Sequence, residues 1–301
     1  MKRDKQKIIV RVDGGICAQV AFVSMGLYLQ EKFAGQAVVK YDLSWYREYG
    51  KDLTGKFPRN WDAPKAFPGL ELPEATEDEC NYFSRHYNKC DSEIEGFGYP
   101  LYIGGYPNRY PTMCRMAPKL IERFHPNLNE STKRHLEFIA AGLTCAIHVR
   151  RGDLAVYNPA YGQPATIDYF TKAVKIIRGL EPNVRFLLFS DEPDWVRNEL
   201  VPALPKGSEY VVAEGNGSDG GYLDLFLISK CDYIISSSGS LGVFGAVLSQ
   251  KCRMLVMNRN RTFAFKHLKN VLYLNDSYTE EPKPPSKSGG FLSRLCAKLG
   301  A

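Results

Sequence analysis

Apolar residues in this chain gather into short runs separated by glycine, proline and polar turns, and the runs alternate between two periods. Ile8-Ile9-Val10-Arg11-Val12 is a nearly continuous apolar stretch of strand length. Asp13-Gly14-Gly15 turns it into Ala18 to Leu29, where the apolar spacing is helical. A second strand, Ala37 to Asp42, follows at the interval of a parallel βα unit. Residues 44–116 are rich in aromatic residues, glycine and proline, and no regular period emerges there. Leu101 to Tyr106 alone reads as a strand entering a glycine turn. Asn129 to Ala140 predicts a helix capped by Ser131 or Asn129.

Beyond residue 143 the rhythm becomes regular. Strands are predicted over Leu143–Val149, Val184–Phe189, Glu209–Val212, Asp232–Ile235 and, last, Arg253–Met257. Helices alternate with them over Asp168–Gly179, Trp195–Leu200, Tyr222–Ser229 and Leu241–Ser249. Four or five βα repeats imply a doubly wound parallel sheet. A length of 301 residues suits one large domain or two of about 150 residues each.

Strand ends carry the candidate chemistry. The apolar run to Val149 delivers His148-Val149-Arg150-Arg151-Gly152-Asp153, and open α/β sheets bind ligands at the carboxyl ends of buried strands. Adjacent arginines point to opposite faces, so one can reach a ligand while the other braces the loop. A guanidinium offers phosphate two parallel charge-assisted hydrogen bonds. The competing reading is a solvated, salt-bridged sheet edge. Ser236-Ser237-Ser238-Gly239-Ser240 lies between a strand and an apolar helix; small residues allow close approach, and hydroxyls can hold phosphate oxygens. Asp191-Glu192-Pro193-Asp194 either ligates a hard cation or starts a helix, with Ser190 or Asp194 as the cap. Asp224 is either a solvated helix residue or points across a cleft toward a base or ribose.

Two tempting motifs fall away. Gly50-Lys51-Asp52-Leu53-Thr54-Gly55-Lys56-Phe57 mimics a phosphate loop, but Phe57 stands where a hydroxyl should hold magnesium, and no buried strand precedes it. Arg151-Gly152-Asp153 spells an adhesion tripeptide, yet it follows a buried strand instead of sitting in an exposed loop.

Composition narrows the setting. Hydrophobic residues make up 44% and charged residues 24%, as in soluble globular enzymes. The net charge of +6 fits an anionic ligand or membrane surface, and no Lys/Arg block is dense enough to make nucleic acid the partner. Eight cysteines show no CxxC or zinc spacing, so reduced thiols in a cytoplasmic protein are expected. Met1 to Lys7 is charged, reads as no signal peptide, and leads into an apolar run too short to span a membrane. Pro282 to Gly290 reads as a linker, and Phe291 to Leu299 as a basic amphipathic segment. That tail either docks weakly on an anionic membrane, giving peripheral contact at its inner face, or is simply disordered.

Taken together, His148 to Asp153, Phe189 to Trp195 and Asp224 to Leu248 resemble the bacterial α-1,2-fucosyltransferases of glycosyltransferase family 11. The resemblance rests on an HxRRGD motif, an FSDD-x-x-W-like element, and a serine turn leading into Leu241-Gly242-Val243-Phe244-Gly245-Ala246. Gly104-Gly105-Tyr106 looks like the family's aromatic glycine turn. Two departures stand out. The family's GGLGNQ appears as Gly14-Gly15-Ile16-Cys17-Ala18-Gln19, and Val243-Phe244 replaces paired tryptophans.

The resemblance implies an α/β GT-B architecture of two Rossmann-like domains: 1–140 on the acceptor side, 141–279 binding the GDP-sugar, then the tail 280–301. It implies transfer of fucose from GDP-fucose, with inversion and without metal or other cofactor, to the 2-hydroxyl of a terminal galactose. The acceptor would be an oligosaccharide or glycolipid such as an O-antigen repeat. Arg150 would stabilise the leaving diphosphate and Arg151 the scaffold. His148 and Asp153 would meet the guanine edge or fix the arginine loop. Ser237, Ser238 and Ser240 would hold phosphate oxygens, and Asp191 and Asp224 would serve guanosine or loop bracing. Gly14, Gly15 and Gln19 complete the expected donor side, with Asp13 as the nominated acceptor base. The alternatives are a binding module without turnover and a transferase for another fucosyl linkage or GDP-sugar.

Overall fold

Strand β1 (Gln6–Arg11) lies between β2 (Ala37–Asp42) and β4 (Leu101–Ile103), with β3 (Asn88–Lys89) at the far edge, all parallel. Covered on both faces, Ile8, Ile9 and Val10 are fully buried, which is why the run is apolar without alternation. The computed structural model describes residues 6–34, 36–52, 55, 57–89, 96, 98–105, 110–152, 154, 163–217, 219–237, 239–258 and 270–274. Helix α1 (Ile16–Lys32) starts at Gly15 and buries nearly every residue of its first three turns.

The aromatic, aperiodic stretch holds more order than its pattern announces. It contains α2 (Ser44–Glu48), α3 (Ala63–Ala66), α4 (Glu77–His86) and α5 (Tyr110–Arg123). Helix α4 opens on a capping box between Thr76 and Glu79. Helix α6 (Glu130–Ala140) begins at Asn129, whose side chain accepts the Thr132 amide at 2.7 Å, so Asn129 and not Ser131 is the cap.

The second sheet has six parallel strands in the order β10-β9-β8-β5-β6-β7. They are β5 (Thr144–Val149), β6 (Arg185–Ser190), β7 (Tyr210–Val212), β8 (Tyr233–Ser236), β9 (Met254–Asn258) and β10 (Val271–Leu274). Strand β10 extends the sheet beyond the strand expected to be last. The crossovers include α7 (Ile167–Leu180), α9 (Gly221–Ser229) and α10 (Leu241–Val247). Helix α8 runs as Pro193–Trp195, widens to a π-helical turn over Val196–Leu200 and closes as Val201–Ala203.

From β5 the chain winds outward through β6 and β7, then returns to β5's other side with β8. The switch point between β5 and β8 leaves a crevice at their carboxyl ends. There His148 lies opposite Ser236 in register. The two sheets meet through helices of the second: Leu225 and Phe226 of α9 and Phe244 and Val247 of α10 join the core around α1. Phe124 and Phe226 pack edge to face, their centroids 5.3 Å apart. None of the described helices is long and apolar enough to cross a membrane.

Candidate active site

At the switch point, β5 and β8 are stitched together just past their last paired residues. The Ser237 amide donates to the His148 carbonyl at 2.9 Å, and the Ser237 hydroxyl accepts the Arg150 amide at 2.9 Å. Gly239 follows with φ +138, a conformation glycine tolerates and other residues rarely adopt. A Cβ there would lie 3.0 Å from Arg150 Cδ and 3.2 Å from His148 Cε1, so glycine also makes room for both side chains. Thus the serine turn and the HVRRG strand end form one wall.

Two-residue periodicity places His148 and Arg150 on one face and Val149 and Arg151 on the other. His148 is buried, and its Nδ1 has no hydrogen-bond partner among the described residues. Burial, with the Arg150 charge beside it, pushes its pKa down to about 3, so the ring is neutral at pH 7. A neutral imidazole offers one N–H and one lone pair, which suits recognition of a polar ligand edge.

Arg151 has a bracing role. Its guanidinium lies 3.6 Å over the Trp195 ring, and its Nε donates to Glu192 Oε2 at 3.1 Å. The two carboxylate oxygens of Asp191 accept the Arg151 and Gly152 amides at 2.9 and 3.0 Å. Asp191 therefore fixes the turn that follows Arg150. The expected helix cap needs correcting: Ser190 Oγ accepts the Glu192 amide at 3.0 Å in a local turn, and Asp194 pairs with Arg197. The N-cap of α8 is Glu192, without a side-chain bond. With Asp191 on backbone amides, Glu192 on Arg151 and Asp194 on Arg197, this group is built as a brace.

The opposite wall comes from the first sheet. Gly14 adopts φ +72, and its carbonyl accepts from Tyr46 Oη at 3.0 Å. Asp13 sits partly buried at the end of β1, and burial raises its pKa above the usual carboxylate range, Arg11 opposing. Gln19, expected on the donor side, is fully buried and occupied within the protein. Its Nε2 donates to the Gly14 and Asn60 carbonyls at 3.2 and 2.7 Å, and its Oε1 accepts the Asp62 and Ala63 amides at 2.8 and 2.9 Å. It shapes the glycine turn and leaves no polar group for a ligand.

The two walls approach each other at Cys17, whose buried thiol lies near Ser240 and within the electrostatic reach of both Arg150 and Arg59. Arg59 lies against Gly15, a residue-level feature that sequence reasoning missed. Asn60 Nδ2 donates to Asp219 Oδ1 at 3.3 Å, and Gly221 at the start of α9 abuts Ile16. Asp224, one turn into α9, accepts from Asn216 Nδ2 at 2.6 Å, and Asn216 Oδ1 in turn accepts from Thr132 Oγ1 at 2.8 Å. The described contacts of Asp224 thus brace the 214–220 loop against α6. Asp153, Ser238 and Tyr106 lie outside the described residues, as does the tail 280–301.

Two parallel α/β sheets meeting at a switch-point crevice define the GT-B class of glycosyltransferase fold. The family model for Glycosyl transferase family 11 matches residues 81–278, more than half of the chain, and the chain belongs to that family. Among relatives, it is 27% identical over 124 residues to the Escherichia coli O-antigen biosynthesis glycosyltransferase WbnK, covering 40% of this chain and 39% of that protein. It is 24% identical to an Escherichia coli α-1,2-colitosyltransferase over 263 residues, 80% of this chain and 87% of the relative. It is also 24% identical over 162 residues to the Mus musculus galactoside 2-α-L-fucosyltransferase Sec1, covering 50% and 43%. The aligned part thus spans less than half of two of these relatives. The solved structure of the NodZ α-1,6-fucosyltransferase soaked with GDP-fucose superposes with a TM-score of 0.55 at 12% identity, covering 82% of this chain and 93% of that one. NodZ from Bradyrhizobium in selenomethionine form gives 0.53 at 13% identity, with the same coverage.

Proposed function

We propose that the chain transfers fucose from GDP-fucose to the 2-hydroxyl of a terminal galactose, with inversion and without a metal ion. The observation that carries this reading is the Arg150 wall: a strand-end arginine whose side chain runs against Gly239 and whose backbone amide is held by Ser237 at the switch point. Support comes from the family, from a relative named as a galactoside 2-α-L-fucosyltransferase and from one named as an α-1,2-colitosyltransferase.

The galactose 2-hydroxyl oxygen forms a bond to C1 of fucose as the bond from C1 to the diphosphate oxygen breaks. Negative charge grows on the departing GDP, and a preorganised Arg150 stabilises it more in the transition state than in the ground state. The hydroxyl proton passes to Asp13, whose raised pKa brings a carboxylate toward the range where general bases work. Neutral His148 presents its free ring nitrogen to the donor.

A second reading concerns the donor only. The relative aligned over most of both chains is named for α-1,2 transfer of colitose, so GDP-colitose is the rival GDP-sugar. Purified protein with each donor and a β-galactoside such as lactose, followed by NMR of the product, tests both. Release of GDP with a new α-1,2 linkage sustains the proposal. Saturable donor binding without release identifies a binding module instead, and turnover lost in EDTA but restored by Mn²⁺ refutes metal independence. The proposal extends to a cytoplasmic protein touching the membrane through 280–301; deletion of that tail then lowers liposome co-sedimentation while turnover on soluble acceptor persists.

A further inference from the structure

Arg59 is the cationic side chain that faces the amino terminus of α1. Gly15, the N-cap of that 17-residue helix, has no capping side chain, and no acidic residue occupies the first turn. A Cβ built on Gly15 would lie 3.8 Å from both Cδ and Nε of Arg59 and 4.0 Å from its Cζ, so the guanidinium end of this side chain runs alongside the glycine turn. It forms no salt bridge among the described residues. Asp62, whose carboxylate feels the Arg59 charge, is committed to Lys65 at 2.9 Å.

Cys17, in the first turn of α1, links this corner to the other wall, lying near Ser240 and within the electrostatic reach of both Arg59 and Arg150. The independent sign of a ligand is His148, buried beside Arg150 with Nδ1 unpartnered. One guanidinium from the loop between α2 and α3, running along the amino terminus of α1, and another from the end of β5, both acting on one buried thiol, make a site for an extended polyanion.

We infer that Arg59 is a second diphosphate-binding cation, supplied by the loop between α2 and α3, which grips the donor together with Arg150. This rests on the donor reading above. It also accounts for Ala18, which offers no polar group where the family motif carries asparagine: Arg59 supplies the charge from outside that motif.

The test is calorimetric binding of GDP and of guanosine to the parent, Arg59→Ala and Arg59→Lys. Charge-assisted hydrogen bonds to phosphate are lost in Arg59→Ala, so GDP affinity falls roughly tenfold to a hundredfold. Guanosine affinity stays within about twofold, and Arg59→Lys recovers part of the loss because a point charge remains. Equal weakening of both ligands, as from a distorted fold, overturns the inference, and so does unchanged GDP binding. If the parent itself binds no GDP, the donor reading fails. Inorganic pyrophosphate then becomes the probe: loss of its binding in Arg59→Ala upholds a polyanion site, and equal binding overturns it.

Discussion

The Ser237 hydroxyl accepts the backbone amide of Arg150 at 2.9 Å, so the position of the strand-end arginine depends on a residue 87 positions away in sequence. Ser237 is almost fully buried, and its own amide holds the His148 carbonyl. Ser237→Ala leaves the Arg150 amide without its partner, which costs about 1–3 kcal/mol of stability. It also loosens the guanidinium, and small misplacements of catalytic groups lower turnover steeply. The expected outcome is a lower urea midpoint together with a drop in kcat of at least about tenfold. Unchanged kcat in a folded variant would show that Arg150 is positioned by other contacts.

Arg150 and Arg151 separate cleanly by mutation. Arg150→Ala removes the charge opposite the leaving group, and transfer falls on the order of 10² to 10³-fold, as for the loss of an oxyanion-type donor. Arg151→Lys abolishes the planar stack on Trp195 and the fixed bond to Glu192. Its cost is about 1 kcal/mol of stability, with turnover within a few-fold of the parent. Steady-state rates and chemical denaturation on both variants check the division; equal rate losses would merge the two roles.

Gln19→Leu tests the amino-terminal brace. Four backbone groups, the carbonyls of Gly14 and Asn60 and the amides of Asp62 and Ala63, lose their partner inside the protein. Burying unsatisfied polar groups places this among the severe substitutions, on the order of 3 kcal/mol or more. Thermal denaturation should show it, with Gln19→Glu also destabilised, because a carboxylate cannot donate to the two carbonyls. A variant as stable as the parent would mean that this region is held elsewhere.

What the sequence made legible was the second sheet, because there apolar runs recur with a steady βα interval and end in chemistry. Arg150, Ser237 and Gly239 could be placed at one crevice from that rhythm alone. Helix α5 was obscured by Pro111 and Pro118, although Met113, Met116, Ala117, Leu120 and Phe124 repeat at helical spacing and are buried. Pro111 falls in the first turn, where a missing N–H costs nothing. Helix α4 carries a signal that its aperiodic surroundings masked: Thr76 and Glu79, the two ends of its capping box. Arg59 had no such signal. It reaches Gly15 because Gln19 binds the Asn60 carbonyl, a contact across 41 positions that no local period records.

Asp13 and the acceptor proton give a kinetic pH test. A base must be ionised to work, so the rate falls as pH drops through its pKa. Burial raises that pKa, so the acid limb of kcat/KM should lie above the ordinary carboxylate range. Asp13→Asn should lower the rate and abolish that limb. A limb that persists unchanged in the variant would remove Asp13 from the role of base.

Asp224 governs stability instead. Its carboxylate receives one described bond, from Asn216, and burial pushes its pKa up to about 6. In the unfolded chain it titrates at about 3.9, so between these values the folded state holds more protons than the unfolded one. Stability from this group is therefore complete below pH about 4 and lost as pH rises through 6. Asp224→Asn retains an oxygen for Asn216 and has no charge to bury. The difference in thermal midpoint, variant minus parent, should be smallest near pH 4, grow steadily between pH 4 and 6 and level off above pH 7. A difference that stays constant across that range would show that the buried charge does not set stability here, and that the Asn216 contact alone anchors the loop to α6.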